Sequence, residues 1–540
     1  MSASCSSGER HEAGALGRRH RPRARALSRD RTAEDVRADD RVQLPPPEEE
    51  RPASTPRSVA RNAAVAYGGE IVAKASSVAF FAVMARELGE GRFGHFIFAL
   101  SLTSVLVLAA GLGTDSLLER EVARDRSRAR DYVRGVTGLK AVSAAGLLVL
   151  AGVMVNLADY PQEARLAVYL VGGGVLIEHL SKTRYAAFMA YEQMRHMSLS
   201  IIVQRTSTAI IGVVLLLAGF GLVAVSIVFL GGALLALAVA ELSFRRLVRS
   251  APSSAVRPLG WRTLIRAGLP IGVSGLLFTL LLKLDAVLVG FLAGGTDNAE
   301  VGYFGAAYRV VEATMFLSWY FGGAVMPWIA RAGAGTAGDL ARGYEIALKA
   351  VTAMLVPLAV TFAVLAGPIV GLLYGDGYEE AVLPLRLLSA MTLLYGVNYL
   401  ASTFFIGRDR PGAFGRLLVV VVLQNILFNA ALIPQYGAAG AAFNAALSGV
   451  LLALLGFRQA SRVVGSVRTS RPFVSPVLAA AAMALAMLLA ASLPVLSLLV
   501  GAVVYPAAFA AAERLLFPRD LDLWRRLLAV RTRSARAHAS

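Results

Sequence analysis

Cysteine occurs once in the 540 residues, at Cys5, so the chain has neither an intramolecular disulfide nor a thiolate cluster for a metal. The six histidines include no pair at HxxxH or HExxH spacing, which removes the helical zinc sites. Acidic residues are scarce: 36 Asp and Glu against 54 Lys and Arg leave a formal net charge of +18. Such a surplus would suit a nucleic-acid-binding protein if it lay on one soluble domain. Here the basic residues fall in short segments between apolar stretches and near the ends, so nucleic acid is not an expected partner. Long polar segments are missing too. From residue 59 to about 516 apolar runs follow one another, the chain is 56% hydrophobic, and its mean hydropathy is +0.60. Runs of about 18 or more such residues cross the ~30 Å hydrocarbon layer as helices. They are too long, and alternate too little, for barrel strands.

The reading is an all-α polytopic membrane protein of about 14 transmembrane helices. They are expected near 61–85, 93–113, 135–157, 164–188, 197–218, 220–241, 268–292, 302–328, 345–373, 381–406, 416–433, 437–457, 473–492 and 495–516. Residues 1–58, with an arginine-rich start and PPPEEE at 45–50, hold too little apolar material to fold and are expected to form a disordered cytoplasmic tail. Positive charge concentrates in alternate loops. One, 114–140, holds Arg120, Arg124, Arg126, Arg128, Arg130, Arg134 and Lys140; another, 242–267, holds Arg245, Arg246, Arg249, Arg257, Arg262 and Arg266. The intervening turns are short and several are acidic, such as NLADYPQE at 156–163 and GDGYEE at 375–380. The positive-inside rule then places both termini in the cytoplasm.

The chain also repeats itself. GRFG at 91–94 returns as GYFG at 302–305, an offset of 211 that also carries Arg120 onto Arg331. LAGFG at 217–221 is echoed by LIPQYG at 432–437. Two pseudo-symmetric six-helix bundles follow, at 59–250 and 251–467, with two added helices in 468–516 and a basic cytoplasmic tail at 517–540. Tandem halves of this kind enclose a central cavity and rock against each other.

Charges inside apolar runs need partners or water, since one at mid-bilayer costs about 2.5–3.5 kcal/mol on insertion scales. Glu70 and Lys74 share a helical face at i,i+4, and Arg309 and Glu312 at i,i+3; both pairs are read as lining a hydrated cavity, against simple mutual neutralisation. Lys283 and Asp285, two residues apart, point in nearly opposite directions. The offset carries Lys74 onto Asp285, which would set them at similar depth on opposite lobes. Glu178, His179, Lys182 and Arg184 stand toward a helix end and read as snorkelling to the interface. Gln424, Asn425 and Asn429 read as hydrogen-bonding glue between helices, and Glu241 and Arg386 as marking helix ends.

In the segments ARELGEGRFGHF (85–96), GLGTDSLLEREVAR (111–124), LDAVLVG (284–290), VGYFGAAYRVVEA (301–313), LYGDGYEEAVLPLRLL (373–388) and LIPQYGAAGAAFNAALS (432–448), the chain resembles Wzx-type polysaccharide flippases of the multidrug/oligosaccharidyl-lipid/polysaccharide exporter superfamily. The resemblance implies two six-helix lobes that pass a polyprenyl-diphosphate-linked oligosaccharide across the cell membrane while its tail stays in the bilayer. A murein-precursor flippase and a multidrug or cation antiporter are the alternatives within the superfamily. It further implies a lipid-linked glycan and membrane lipids as partners, and a polysaccharide polymerase and glycosyltransferases beside them. A diphosphate calls for cations. Lys74, Lys283 and Arg309 are the candidates, with Glu70, Asp285 and Glu312 holding them or exchanging a coupling H+ or Na+; no other cofactor is expected. An enzyme would need a sizeable external loop bearing carboxylates, and the longest such turn has about ten residues.

Overall fold

A computed structural model describes residues 56–111, 113–249, 260–293, 297–319, 321–322, 337–407, 411–464 and 471–518, with side chains in the first helix from residue 72. Of the stretch expected to be disordered, residues 1–55 lie outside the described residues, as do Glu70's side chain and Arg331, while residues 56–58 open the first helix. The described chain is helical, with no strand.

The helices are α1 (Pro56–Gly111), α2 (Thr114–Arg124), α3 (Ala129–Leu157), α4 (Gln162–Ala190), α5 (Met194–Leu217), α6 (Leu222–Leu247), α7 (Trp261–Leu292) and α8 (Ala299–Glu312). After these come α9 (Ala337–Val364), α10 (Ala366–Tyr374), α11 (Val382–Gly407), α12 (Pro411–Val464), α13 (Arg471–Leu489) and α14 (Pro494–Leu516). Among the described residues, ten helices are long and apolar enough to cross a bilayer. The sequence suggests fourteen spans, and the difference has physical reasons. The helices α1 and α12 each run through a glycine in a non-helical conformation, Gly89 (φ 75°) and Gly437 (φ 50°), where the axis breaks without a loop. α4 carries Glu178, Lys182 and Arg184 in its apolar run, and the span expected at 302–328 is interrupted at 313–314 and lies partly outside the described residues. The expected helix at 345–373 is divided as well, into α9 and the short α10.

Packing follows the chain. α4 lies against α3 and α6, and α5 against α6; α12 lies against α7 and α11, and α9 against α11; α13 packs on α14 and is joined to the rest through α9. Large apolar side chains remain outside: Leu427, Leu489 and Val503 are 68%, 82% and 70% exposed. Water would penalise that surface at roughly 25 cal/mol per Å², whereas lipid covers it without cost.

The two glycine motifs matched at the 211-residue offset meet each other. A Cβ on Gly94 would sit 1.9 Å from the Asn298 carbonyl oxygen and 2.9 Å from the Gly302 nitrogen; one on Gly302 would sit 2.2 Å from the Glu90 oxygen. Only glycine permits this approach of backbone to backbone. Around it the Arg86 guanidinium donates to the carbonyls of Leu372 and Leu373, and the Tyr378 hydroxyl donates to the Ala85 carbonyl at 3.1 Å. Phe93 meets Tyr378 edge-on at 6.0 Å. At the other end of the bundle, Gly113 lies against Gly268 and Gly272 in the same manner.

Candidate functional site

Among the described residues, charged side chains inside apolar helices gather in several arrangements, three of them clusters of opposite charge that join helices. The first is a cavity of about 310 Å³ walled by four helices. From α1 come Lys74, Ser77 and Phe81; from α4, Glu178, Lys182 and Tyr185; from α5, Gln204 and Arg205; from α8, Arg309 and Glu312. The spacing explains the shared face: 178, 182 and 185 recur at helical i,i+4 and i,i+3 intervals. Four cations against two carboxylates leave this lining at net +2.

Glu312 is the hub on the α8 side. Its Oε2 accepts from Arg309 at 2.7 Å and its Oε1 from the Lys283 ammonium at 2.6 Å, with all three side chains between 17% and 24% exposed. Arg309 also stacks its guanidinium 3.9 Å from the centroid of Phe81, and Lys283 stands 4.9 Å from that of Tyr308. Helix α8 stops at Glu312 and turns at 313–314 before a further helical stretch at 315–319. The cavity therefore faces an interrupted helix, and Arg309 lies in its last turn, where the helix dipole favours a cation. Across the cavity Gln204 donates its amide to Glu178. Lys74, Lys182 and Arg205 form no ion pair with any described residue.

Of the six residues proposed from sequence, Lys74, Arg309 and Glu312 stand in the cavity wall, and Lys283 reaches it through Glu312. Asp285 stands apart from this cavity. It is 2% exposed and faces the interior of the second set of helices, where its Oδ1 accepts from Asn425 at 3.0 Å and Asn429 at 2.7 Å. Two residues along a helix is about 200° of rotation, so Lys283 and Asp285 cannot both face the same space. The amides of Asn425 and Asn429, read as glue, bind this carboxylate from another helix.

Helix α4 also departs from the interfacial reading. Glu178 and Lys182 face the cavity, whereas Arg184 pairs with Glu241 at 3.0 Å and His179 is buried. Lys140, expected in a basic loop, is fully buried within α3 and bridges both oxygens of Asp115 at 2.5 Å, forming the second arrangement. The third is Lys349 with Glu513, 2.7 Å apart and 4% and 1% exposed, which ties α9 to the end of α14. Among the described residues, no group of three or more His, Cys, Asp or Glu is placed to hold a metal ion.

Long apolar helices, apolar outer faces, a broken helix and a charged chamber between helices together define a multi-pass helical membrane protein. Solved structures agree. The fold is similar to lipid II flippase MurJ in an inward closed conformation, with a TM-score of 0.66 and 15% identity over 84% of this chain and 99% of that one. It is also similar to an inward-facing multidrug resistance MATE family transporter of the MOP superfamily, with a TM-score of 0.59 and 17% identity over 75% and 96%. Residues 59–332 match the model of the family described as polysaccharide biosynthesis protein, and the chain belongs to that family. Two curated relatives match more locally. The probable low-salt glycan biosynthesis flippase Agl15 of Haloferax volcanii is 24% identical over 168 residues, 31% of this chain and 34% of the relative. The uncharacterized membrane protein MJ1068 of Methanocaldococcus jannaschii is 25% identical over 173 residues, 32% and 33% respectively. Each match spans about a third of the relative's own length.

Proposed function

We propose that this chain carries a polyprenyl-diphosphate-linked oligosaccharide across the cell membrane, from the cytoplasmic to the external leaflet, for surface or exopolysaccharide assembly. The observation that carries the reading is the sign of the cavity. Four cations from four helices, two of them in each of two charge types, Lys and Arg, outnumber the carboxylates, and three have no ion-pair partner among the described residues. A diphosphate diester offers matching negative charge and acceptor oxygens. The family and the glycan-flippase relative support the same substrate class. A cationic drug would meet like charge, which counts against an antiporter of the multidrug kind. A murein precursor carries the same diphosphate and satisfies the lining equally, so it is the second reading.

In this scheme Lys74, Lys182 and Arg205 receive the diphosphate while Arg309 and Lys283 exchange Glu312 for phosphate oxygens. The glycine contact around Gly94 and Gly302 opens as the helical sets rock, releasing the head group on the far side while the tail stays in lipid. Both termini are cytoplasmic, as the loop charges require, a polymerase and glycosyltransferases act on either side of the step, and a coupling H+ or Na+ gradient drives it.

The test is transport in proteoliposomes of a fluorescent glycan on a polyprenyl diphosphate, with the lipid II analogue alongside. Lys74→Ala or Arg309→Ala should lower uptake about tenfold or more at unchanged protein level, since a hydrogen bond to a charged group contributes roughly 1.5–3 kcal/mol. Uptake of neither lipid, or full uptake by both variants, would refute the reading.

A further inference from the structure

Away from the central cavity, a groove of about 720 Å³ runs between α11, the end of α12 and the start of α13. It shares no lining residue with the cavity. Its body is apolar, walled by Leu394, Leu454, Phe457 and Phe473. Phe457 and Phe473 meet edge-on at 5.8 Å, joining α12 to α13. At one end stand Arg458 and Arg462, one helical turn apart on α12 and both exposed, with Ser461 beside them. Neither arginine has an ion-pair partner among the described residues.

Two guanidiniums on one helical face, with no carboxylate among the described lining residues, form a fork for a phosphate; the planar donors match its oxygens in pairs. The groove next to them suits hydrocarbon. The groove lies open along the helix surface, with Leu454 61% exposed at its wall, so a hydrocarbon chain can enter it from the side. The polarity is ordered, with charge at the helix end and apolar wall along the span, which is the arrangement of a membrane phospholipid seen from head to tail.

We propose that this groove binds one anionic phospholipid of the bilayer, its phosphodiester held by Arg458 and Arg462 and an acyl chain lying along Leu454, Phe457 and Phe473. Apolar contact alone would accept any lipid. The arginine pair selects a head group of net negative charge over a zwitterionic one, which brings a compensating cation of its own. Because one wall is Phe473, the bound lipid bridges the appended helices α13 and α14 to α12 and fastens them beside the transport unit.

Native mass spectrometry of the full chain, titrated with phosphatidylglycerol or phosphatidylcholine, tests the proposal. Two arginine contacts near the membrane surface correspond to a preference for phosphatidylglycerol of about thirtyfold. Arg458→Ala with Arg462→Ala should erase that preference, and Arg124→Ala with Arg128→Ala, at another basic edge, should leave it intact. Leu454→Trp, which narrows the groove and leaves both arginines, should weaken phosphatidylglycerol binding on its own and covers the case in which the double variant fails to fold. Equal affinity for the two lipids in the unaltered chain, or an undiminished preference in the arginine double variant, would overturn the proposal. Displacement of bound phosphatidylglycerol by an equimolar polyprenyl phosphate would also overturn it, since the groove would then hold the transported lipid.

Discussion

Replacing Glu312 with glutamine isolates the charge at the centre of the site. The side chain keeps its shape, but two charge-assisted hydrogen bonds, 2.6 Å from Lys283 and 2.7 Å from Arg309, lose their anion. Each such bond contributes roughly 1.5–3 kcal/mol when both partners are present. Breaking a fully buried pair costs about 3–5 kcal/mol; exposures of 17–24% admit some water and bring the expected loss to about 2 kcal/mol. Lys283 and Arg309 would then face each other without a counter-ion, and a bound diphosphate would supply one. Glu312→Gln should therefore lower the thermal stability of the purified protein and tighten its binding of a polyprenyl diphosphate about tenfold. In a double-mutant cycle with Arg309→Met, coupling of about 1–2 kcal/mol is expected, because the groups are in contact. Additive effects in that cycle, together with unchanged ligand binding by Glu312→Gln, would show that Glu312 does not hold the cations and refute the reasoning.

Three other perturbations address different parts of the molecule. Gly94→Leu places a branched side chain where even a Cβ lies 1.9 Å from a carbonyl oxygen, so the contact with Asn298 should open; a thiol introduced at Phe93 should label at least several-fold faster than in the Gly94 background, and an unchanged rate would mean the backbones do not touch. Lys349→Met alone strands Glu513 in a nearly solvent-free site and should cost about 3–5 kcal/mol, whereas Lys349→Met with Glu513→Leu should recover most of it, as buried pairs replaced by apolar residues usually do; thermal unfolding of the three proteins decides. Cysteines at Asp297 and Asp376 should react with an impermeant maleimide in intact cells and one at Arg128 should not, and the reverse pattern would invert the topology.

The spans were legible because lipid imposes one rule on every backbone group, and the rule shows as uninterrupted apolar runs. Their breaks were less so. At Gly89 and Gly437 the expected runs do separate, at 61–85 and 93–113 and at 416–433 and 437–457, but the backbone turns there on one glycine each and the helix resumes at once. Lys74, Arg309 and Glu312 stand out in the sequence because each interrupts an apolar run and charge there demands water or a partner; all three border the 310 Å³ cavity. The face was not legible where depth stood in for direction: Asp285 shares Lys74's position in the repeat, yet one extra half-turn from Lys283 turns it toward Asn425 and Asn429. Helix α4 hid its role for a related reason. Glu178 and Lys182 lie on one face and His179 and Arg184 on others, while their common nearness to a helix end suggested a single interfacial group; separating them by i,i+4 spacing would have found the first two. Lys349 and Glu513 are 164 positions apart, a pairing that only tertiary structure creates.

The meeting of the two glycine motifs has a bearing on the origin of the molecule. Residues 90–94 of one copy rest on residues 297–302, which belong to the matching segment of the other. A surface patch that binds its own duplicate is what a twofold homodimer presents at its interface. The contact is therefore one that two separate six-helix subunits could have made before they were joined in a single chain. Fusion keeps such subunits together at any concentration and frees each to vary alone. The lining shows how far the two halves differ: Lys182 and Arg205 come from residues before 250, the Arg309–Glu312–Lys283 cluster from residues after it.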